Sequence, residues 1–396
     1  MKTGRPGRAQ GQVIGPVTTA GIAVFALAVG AYVGGWQLGW VELLVVAAGC
    51  LLAMLLAVPF VLGRTRLDVT RSLSDDRIEA GETIRVHLDT MNSGRRSSRR
   101  VKLEEEIGLR IETITVPALR PGGVHAGTYS ITPERRSRMF VGPAVMSRSD
   151  PLGLLRRRVP QSDATEVWVY PRSRALSPLP AGFAKDLEGP TSDTSPAGDI
   201  AFHAIRPYVM GDDRRHIHWL STAKTGSLMV RHYVDNRRPH LAVMLDPDSG
   251  SWADEQDFET AVSVAASLVA SMMRRQLPVS LRVGDTTVVG ERIRGTVDTA
   301  LQALTLTDTS PFTIDDLTRS AVEFARSEVG ASALILVTGR TSRAELAGVA
   351  SRLRRSKRLL LAPVHAEAPS MAIPGAITIA APDLDAFAAG WLRRVR

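Results

Sequence analysis

The chain of 396 residues changes its hydrophobic rhythm twice. Two nearly unbroken apolar runs open it, at 17–33 and 41–62. A helix crossing the hydrocarbon core of a bilayer needs about 20 mostly apolar residues. The second run satisfies this with one acid, Glu42, at its edge; the first is shorter and glycine-rich. Between them lies Gly34-Gly35-Trp36-Gln37-Leu38-Gly39-Trp40, whose two tryptophans suit the headgroup level. The pair predicts a transmembrane helical hairpin within residues 1–66, with spans at about 14–34 and 41–62.

From 67 the period becomes two. Residues 67–70 and 84–88 alternate, and further strands are predicted at 101–105, 111–116, 127–131 and 166–170. Ala80-Gly81-Glu82, Asn92-Ser93-Gly94 and Pro121-Gly122-Gly123 supply the turns. Short alternating strands at this spacing predict an antiparallel β-sandwich, immunoglobulin-like, over 67–175. No Cys-Trp-Cys pattern accompanies them, so rhythm alone carries this assignment.

Residues 176–236 read as a linker rich in Pro, Ser and Gly that runs into a dense polar block. Over 237–396 the rhythm changes again, to strands alternating with helices. The strands fall at 240–246, 279–283 with a hairpin to 289, 333–337, 359–363 and 376–379. Helices are predicted at 257–275, 296–304, 314–327, 342–355 and 384–394. Such alternation implies a mostly parallel, Rossmann-like sheet with helices on both faces.

Composition changes this picture in three places. Charged residues at 22% and apolar ones at 44% exclude disorder for the bulk of the chain. Cys50 is the only cysteine, so no intrachain disulfide forms, which fits a reducing compartment. The net charge of +9 asks for anionic lipid, nucleic acid or an acidic partner.

Lys2, Arg5 and Arg8 precede the first run, Arg64 and Arg66 follow the second, and the connection between them has no basic residue. The positive-inside rule then predicts a cell-membrane protein with both termini and the soluble region cytoplasmic. A cleaved signal peptide with one span is the competing topology; the lack of a small-x-small cleavage site before a polar stretch counts against it. Further basic clusters stand at Arg95, Arg96, Arg99 and Arg100, at Arg135, Arg136 and Arg138, and at 156–158. They read as solvated loop charge, or as contacts to anionic lipid below the anchor. Without interleaved aromatics or a recognisable module, they do not indicate nucleic acid.

Candidate chemistry concentrates in the block 198–231. Arg206, Tyr208, Gly211, Asp212, Arg215, Ile217 and Trp219 form an Arg-x-Tyr-x-x-Gly-Asp-x-x-Arg-x-Ile-x-Trp run. On these residues the chain resembles the domain of unknown function 58 (DUF58) family, and Asp150-Pro151-Leu152-Gly153-Leu154 is similar to a second feature of that family. Read physically, Asp212 and Asp213 are suited to bidentate bonds from Arg206, Arg214 or Arg215, and Tyr208 and Trp219 offer large packing faces. The expected role is an ion-paired loop that docks the sandwich on the C-terminal domain. His216 and His218 would share one face of a strand, a weak metal signal with no obvious third ligand. No nucleophile elbow, phosphate loop or HExxH motif is present.

The resemblance, with the strand and helix alternation, implies a von Willebrand factor A-like C-terminal domain. Such domains often bind a divalent cation at the carboxyl end of the first strand. Asp246 matches the first acid; the two serine positions carry Asp248 and Gly250; Thr296 is the candidate later threonine; and Val337-Thr338-Gly339 lacks the later aspartate. A degenerate Mg²⁺ site of Asp246, Asp248 and Thr296 is therefore one expectation. The other is that Asp246 accepts backbone N–H bonds.

The resemblance also implies a non-enzymatic interaction or scaffold protein acting with a MoxR-type AAA+ ATPase in cell-envelope or stress-related assembly. Two alternatives stand beside it. One is a hydrolase-like enzyme using the Arg, Asp and His residues of the signature. The other is an exported metal-dependent adhesion module, which requires an intact cation site and the opposite topology.

Overall fold

A computed structural model describes residues 17–62, 66–108, 110–177, 200–210, 212–235, 240–290, 293–328, 331–340, 342–354, 358–365 and 372–395. They form two compact units, 1–170 and 171–396.

The first unit opens with α1 (Thr19–Leu38) and α2 (Val41–Val61), both long and apolar enough to cross a membrane. Ile22, Phe25, Trp36, Leu51 and Leu55 are exposed along them, an apolar surface that water does not stabilise and lipid does. This supports membrane association. The predicted loop at 34–40 is mostly helix, and the chain reverses only at Gly39 and Trp40. Glycine's low helix propensity loses here because backbone groups in an apolar phase must bond within their own segment. The start of the predicted first span, 14–16, lies outside the described residues.

Among the described residues the β-region contains nine strands. Strands β1 (Leu67–Leu73), β3 (Ile84–Asn92) and β6 (Val124–Ile131) make one antiparallel sheet. The second sheet runs β2 (Arg77–Glu79), β9 (Thr165–Tyr170), β7 (Ser137–Ser149), β4 (Val101–Ile107), β5 (Arg110–Val116), with β8 (Arg156–Pro160) also on β7. Leu67, Val69 and Leu88 of one sheet pack on Leu103, Val116 and Met146 of the other, so the two close into a sandwich.

Strands β2, β7 and β8 were not foreseen. The central strand β7 is buried on both sides through much of its length, which erases alternation, and β8 is the Arg156–Arg158 cluster.

A buried polar hub ties the sandwich together. Arg71 on β1 donates from Nε to Glu105 Oε1 on β4 at 2.8 Å and from Nη1 to the Asp163 carbonyl at 2.7 Å. Tyr129 on β6 donates its hydroxyl to Glu105 Oε2 at 2.6 Å. Burial and then the Glu105 carboxylate drive the Tyr129 pKa upward, so the phenol stays a donor.

In the second unit, residues 171–177, which the sequence divides between the end of the sandwich and the start of the linker, are tied down: Arg174 and Leu176 donate backbone N–H bonds to Ser267 and Ser271. Residues 178–199 of the predicted linker segment lie outside the described residues. A two-stranded ribbon follows, β10 (Ile200–Pro207) paired with β11 (Met229–Asp235), enclosing the short helix α3 (Trp219–Thr225).

The main sheet has the order β14 (Thr286–Val289), β13 (Val279–Val283), β12 (Leu241–Leu245), β15 (Ala333–Thr338), β16 (Arg358–Pro363), β17 (Ala376–Thr378). All neighbours are parallel except the β13–β14 edge hairpin. Helices α6 (Ile314–Ser327) and α7 (Arg343–Leu353) cover the face of Ala242 and Met244. Helix α4 (Glu255–Arg274) covers the other face, joined there by α5 (Val297–Thr305) and α8 (Leu384–Val395).

Candidate functional site

Strands β12 and β15 lie side by side with Leu245 opposite Val337. The next residues, Asp246 and Thr338, therefore meet at the carboxyl end of the sheet, where open α/β sheets place their ligands. Asp246 is fully buried. Its Oδ2 accepts from Thr338 Oγ1 at 2.7 Å and from Arg340 Nε at 3.0 Å; its Oδ1 accepts from the Asp248 N–H at 3.1 Å.

Arg340 is the residue that sequence reasoning missed. Its Nη2 donates to Asp248 Oδ2 at 2.7 Å and to the Phe312 carbonyl at 2.8 Å, so one guanidinium bridges both acids. Gly339 permits this turn. A Cβ there would sit 2.3 Å from the Ser251 carbonyl oxygen and 2.5 Å from the Trp252 ring. Burial pushes the Asp246 carboxyl above its ordinary value, against the pull of Arg340 and the Thr338 hydroxyl.

The expected Mg²⁺ set does not assemble in this arrangement. Asp246 and Asp248 do converge, but the guanidinium fills the space between them. Mg²⁺ demands octahedral oxygen ligands at about 2.0–2.1 Å, and it would have to displace Arg340. Thr296 is elsewhere engaged, capping α5 by accepting from the Thr299 N–H at 3.2 Å. The loop that does lie on Asp248 holds Ser310 and Phe312. Among the described residues no group of three or more His, Cys, Asp or Glu side chains is placed to hold a metal. The other expectation, that Asp246 accepts a backbone N–H, matches the Asp248 bond.

The signature residues build the hairpin between β10 and β11. Arg206 grips Asp212 with both Nη atoms, at 2.8 and 2.6 Å, and Asp212 Oδ2 also accepts the Val209 N–H at 2.9 Å. The ion pair thus closes its own turn. Gly211 lies outside the described residues.

Tyr208 donates its backbone N–H to the Leu228 carbonyl, and Ile217 bridges to Val230. Arg215 is exposed, with its N–H bonded to Asp213 Oδ1. His216 and His218 do not share a strand face: His216 ends a 3₁₀ turn, and His218 caps α3, its Nδ1 accepting the Ser221 N–H at 3.3 Å. Trp219 is 68% exposed, Leu220 67% and Met210 97%. The packing role expected of Trp219 is therefore not filled within its own unit.

Comparison with known proteins finds a family model that spans the signature. Residues 204–341 match the family model described as protein of unknown function DUF58. No curated protein matches the chain.

Among solved structures, the CARDB domain of the PF1109 protein from Pyrococcus furiosus, in complex with di-metal ions, is 16% identical with a TM-score of 0.21, over 26% of this chain and 93% of that one. A β-glucosidase from Listeria innocua is 15% identical with a TM-score of 0.20, over 28% of this chain and 17% of that one. The alkylpurine DNA glycosylase AlkC of Pseudomonas fluorescens is 10% identical with a TM-score of 0.22, over 35% and 42%. Likenesses this slight leave the fold to rest on the strand pairing itself.

Proposed function

We propose that this chain, whose residues 204–341 match the DUF58 family model, is a membrane-anchored, non-enzymatic interaction protein. The observation that carries the reading is the signature hairpin. Met210, Trp219 and Leu220 stand exposed on a mount made rigid by the Arg206–Asp212 pair and the His218 cap. Large apolar side chains on a pre-organised support, ringed by charge, are the composition of a protein contact site.

The α/β unit is best read as von Willebrand factor A-like. In order of appearance its strands run 3-2-1-4-5-6 across the sheet, with the third antiparallel at the edge. In this version Arg340 takes the charge-balancing role of a cation, so a partner docks without a metal bridge. That separates it from a metal-dependent adhesion module.

An enzyme is the weaker reading. Asp212 is held by Arg206, and His218 Nδ1 is committed to a helix cap. The resemblance names a MoxR-type AAA+ ATPase as the partner, in cell-envelope or stress-related assembly. The basic flanks of the hairpin favour the cytoplasmic face.

Cross-linked affinity purification from native membranes tests this. The wild-type protein is expected to enrich an AAA+ ATPase, and Trp219→Ala with Leu220→Ser to lose it while keeping its circular dichroism. Retention of the same partner by that folded variant overturns the assigned surface. A reporter fused after Arg396 that reads as extracellular overturns the topology.

A further inference from the structure

Where the apolar helices meet the β-region, the first unit contains a cavity of about 1110 Å³. Thr18, the cap of α1, and Pro59 and Phe60 of the last turn of α2 form one wall. Six basic side chains line the remainder: Arg96, Arg99, Arg100, Lys102, Arg148 and Arg156.

The two acids in the lining, Asp150 and Glu104, are already committed. Asp150 accepts the Leu152 N–H at 2.9 Å and the Leu155 N–H at 2.6 Å. Glu104 pairs with Arg156 and, at 3.3 Å, with Arg158. Among the described residues no carboxylate pairs with Arg96, Arg99, Arg100 or Lys102. The crowding registers on Arg148, whose pKa is lowered by burial and then by repulsion from Arg157 and Arg99. Like charges gathered around a void of this size create a potential that an anion relieves.

The cavity is fixed in depth as well as in charge. The turn after β7, Asp150-Pro151-Leu152-Gly153-Leu154, is bonded to the helix ends. Thr18 donates its hydroxyl to the Gly153 carbonyl at 2.6 Å and its N–H to the Leu154 carbonyl at 3.1 Å. At Gly21 a Cβ would come within 2.2 Å of that Leu154 oxygen, so only glycine admits the contact. Leu154 and Leu155 bury against Ala57, Val61, Met54 and Val24 of the hairpin. The basic lining therefore stands where the apolar helices end, at headgroup level for any bilayer they cross, while Leu55, Leu56 and Phe60 of α2 expose an apolar track above it.

The geometry points to a binding site for the phosphate headgroup of an anionic phospholipid, entered beside Phe60 and held by Arg99, Arg100, Lys102 and Arg148. A lipid fits better than free phosphate because one wall is the end of an apolar helix whose exposed face can take acyl chains. The site rests on the reading that the hairpin crosses a membrane, but not on any protein partner.

The test is full-length protein in nanodiscs of mixed phosphatidylcholine and phosphatidylglycerol, with retained lipid counted by native mass spectrometry. Wild type is expected to retain phosphatidylglycerol selectively. Arg99→Gln with Arg100→Gln should weaken retention about 25-fold, at about 5-fold per charge. Arg120→Gln, outside the cavity, should leave it unchanged, and Arg99→Lys with Arg100→Lys should restore most of it.

Equal retention of both lipids, or a loss as large with Arg120→Gln, overturns the site. Displacement of the lipid by millimolar inorganic phosphate as readily as by phosphatidylglycerol overturns the lipid assignment. Failure of the protein to enter nanodiscs overturns the membrane reading itself, whereas insertion without lipid selectivity overturns this inference alone.

Discussion

Each soluble unit holds a largely buried guanidinium against carboxylate, Arg71 in the sandwich and Arg340 in the α/β unit, and these two serve different ends. In the sandwich, Arg71 and Glu105 are sealed between sheets, with Tyr129, Ser162, Thr165 and the Asp163 carbonyl completing their bonds. In the α/β unit, Arg340 bridges Asp246 and Asp248 at the mouth of the sheet, its side chain still 10% exposed. The first pair has no opening toward a ligand and serves to register the two sheets. The second sits at the place where such sheets bind ligands, with the arginine as a built-in counter-ion. The same ion-pair chemistry lies between two sheets in one unit and at the end of a sheet in the other, where we propose that it stands in for a cation.

The largest test of this contrast is Glu105→Ala. It strands a buried guanidinium and should cost about 3–5 kcal/mol in denaturant unfolding of the sandwich. Arg71→Met with Glu105→Leu should recover most of that loss, because an apolar pair of similar volume carries no desolvation penalty. If the double variant is as unstable as the single one, the pair does more than register the sheets.

Arg340→Ala should cost less, about 2–3 kcal/mol, since its site touches solvent. Here the centres should diverge. Mg²⁺ should raise the unfolding temperature of Arg340→Ala by occupying the vacated space between Asp246 and Asp248, and leave wild type unchanged. A variant indifferent to Mg²⁺ would show that the guanidinium does not stand in for a cation.

Two carboxylates sharpen the contrast through pH. Burial would raise the Asp150 pKa, but N–H bonds from Leu155, Leu154 and Leu152 outweigh it and hold the carboxyl below its ordinary 3.8. Its contribution is present above the unfolded value and lost as pH falls through the lower folded one. The pKa of Asp246 is raised instead, so its folded form binds the extra proton, and stability falls as pH rises from the unfolded value through the folded one. Asp150→Asn should therefore remove about 1–2 kcal/mol at neutral pH and flatten the acid limb of the sandwich unfolding curve.

The smallest stability effect belongs to Trp219→Ala, within about 0.5 kcal/mol, because a side chain that is 68% exposed buries little on folding. A larger loss in thermal unfolding would mean that Trp219 packs rather than presents itself to a partner.

Much of the architecture was legible along the chain. The α/β unit was readable almost element by element, since buried parallel strands such as 333–338 are unbroken apolar runs and their helices alternate with them. The sandwich was half legible: strands with one wet face, such as β3, alternate, while β7 hides because both its faces are covered. The signature announced its ion pair, and Arg206 and Asp212 do meet. Thr296 was chosen by its place in a motif and turned out to be a helix cap.

Apolar run length, strand rhythm and the signature are properties of neighbouring residues, and local periodicity suffices to read them. The partners of Asp246 are not. Arg340 lies 94 positions away and reaches the acid only because β12 and β15 are adjacent with Leu245 opposite Val337. The basic cavity likewise joins Thr18, Phe60, Arg99 and Arg148, four distant points that only the docking of one turn on two helix ends brings together. Local pattern determined the elements. Strand order and loop docking decided which charges face each other, because ion pairing acts through space and sequence distance does not measure space.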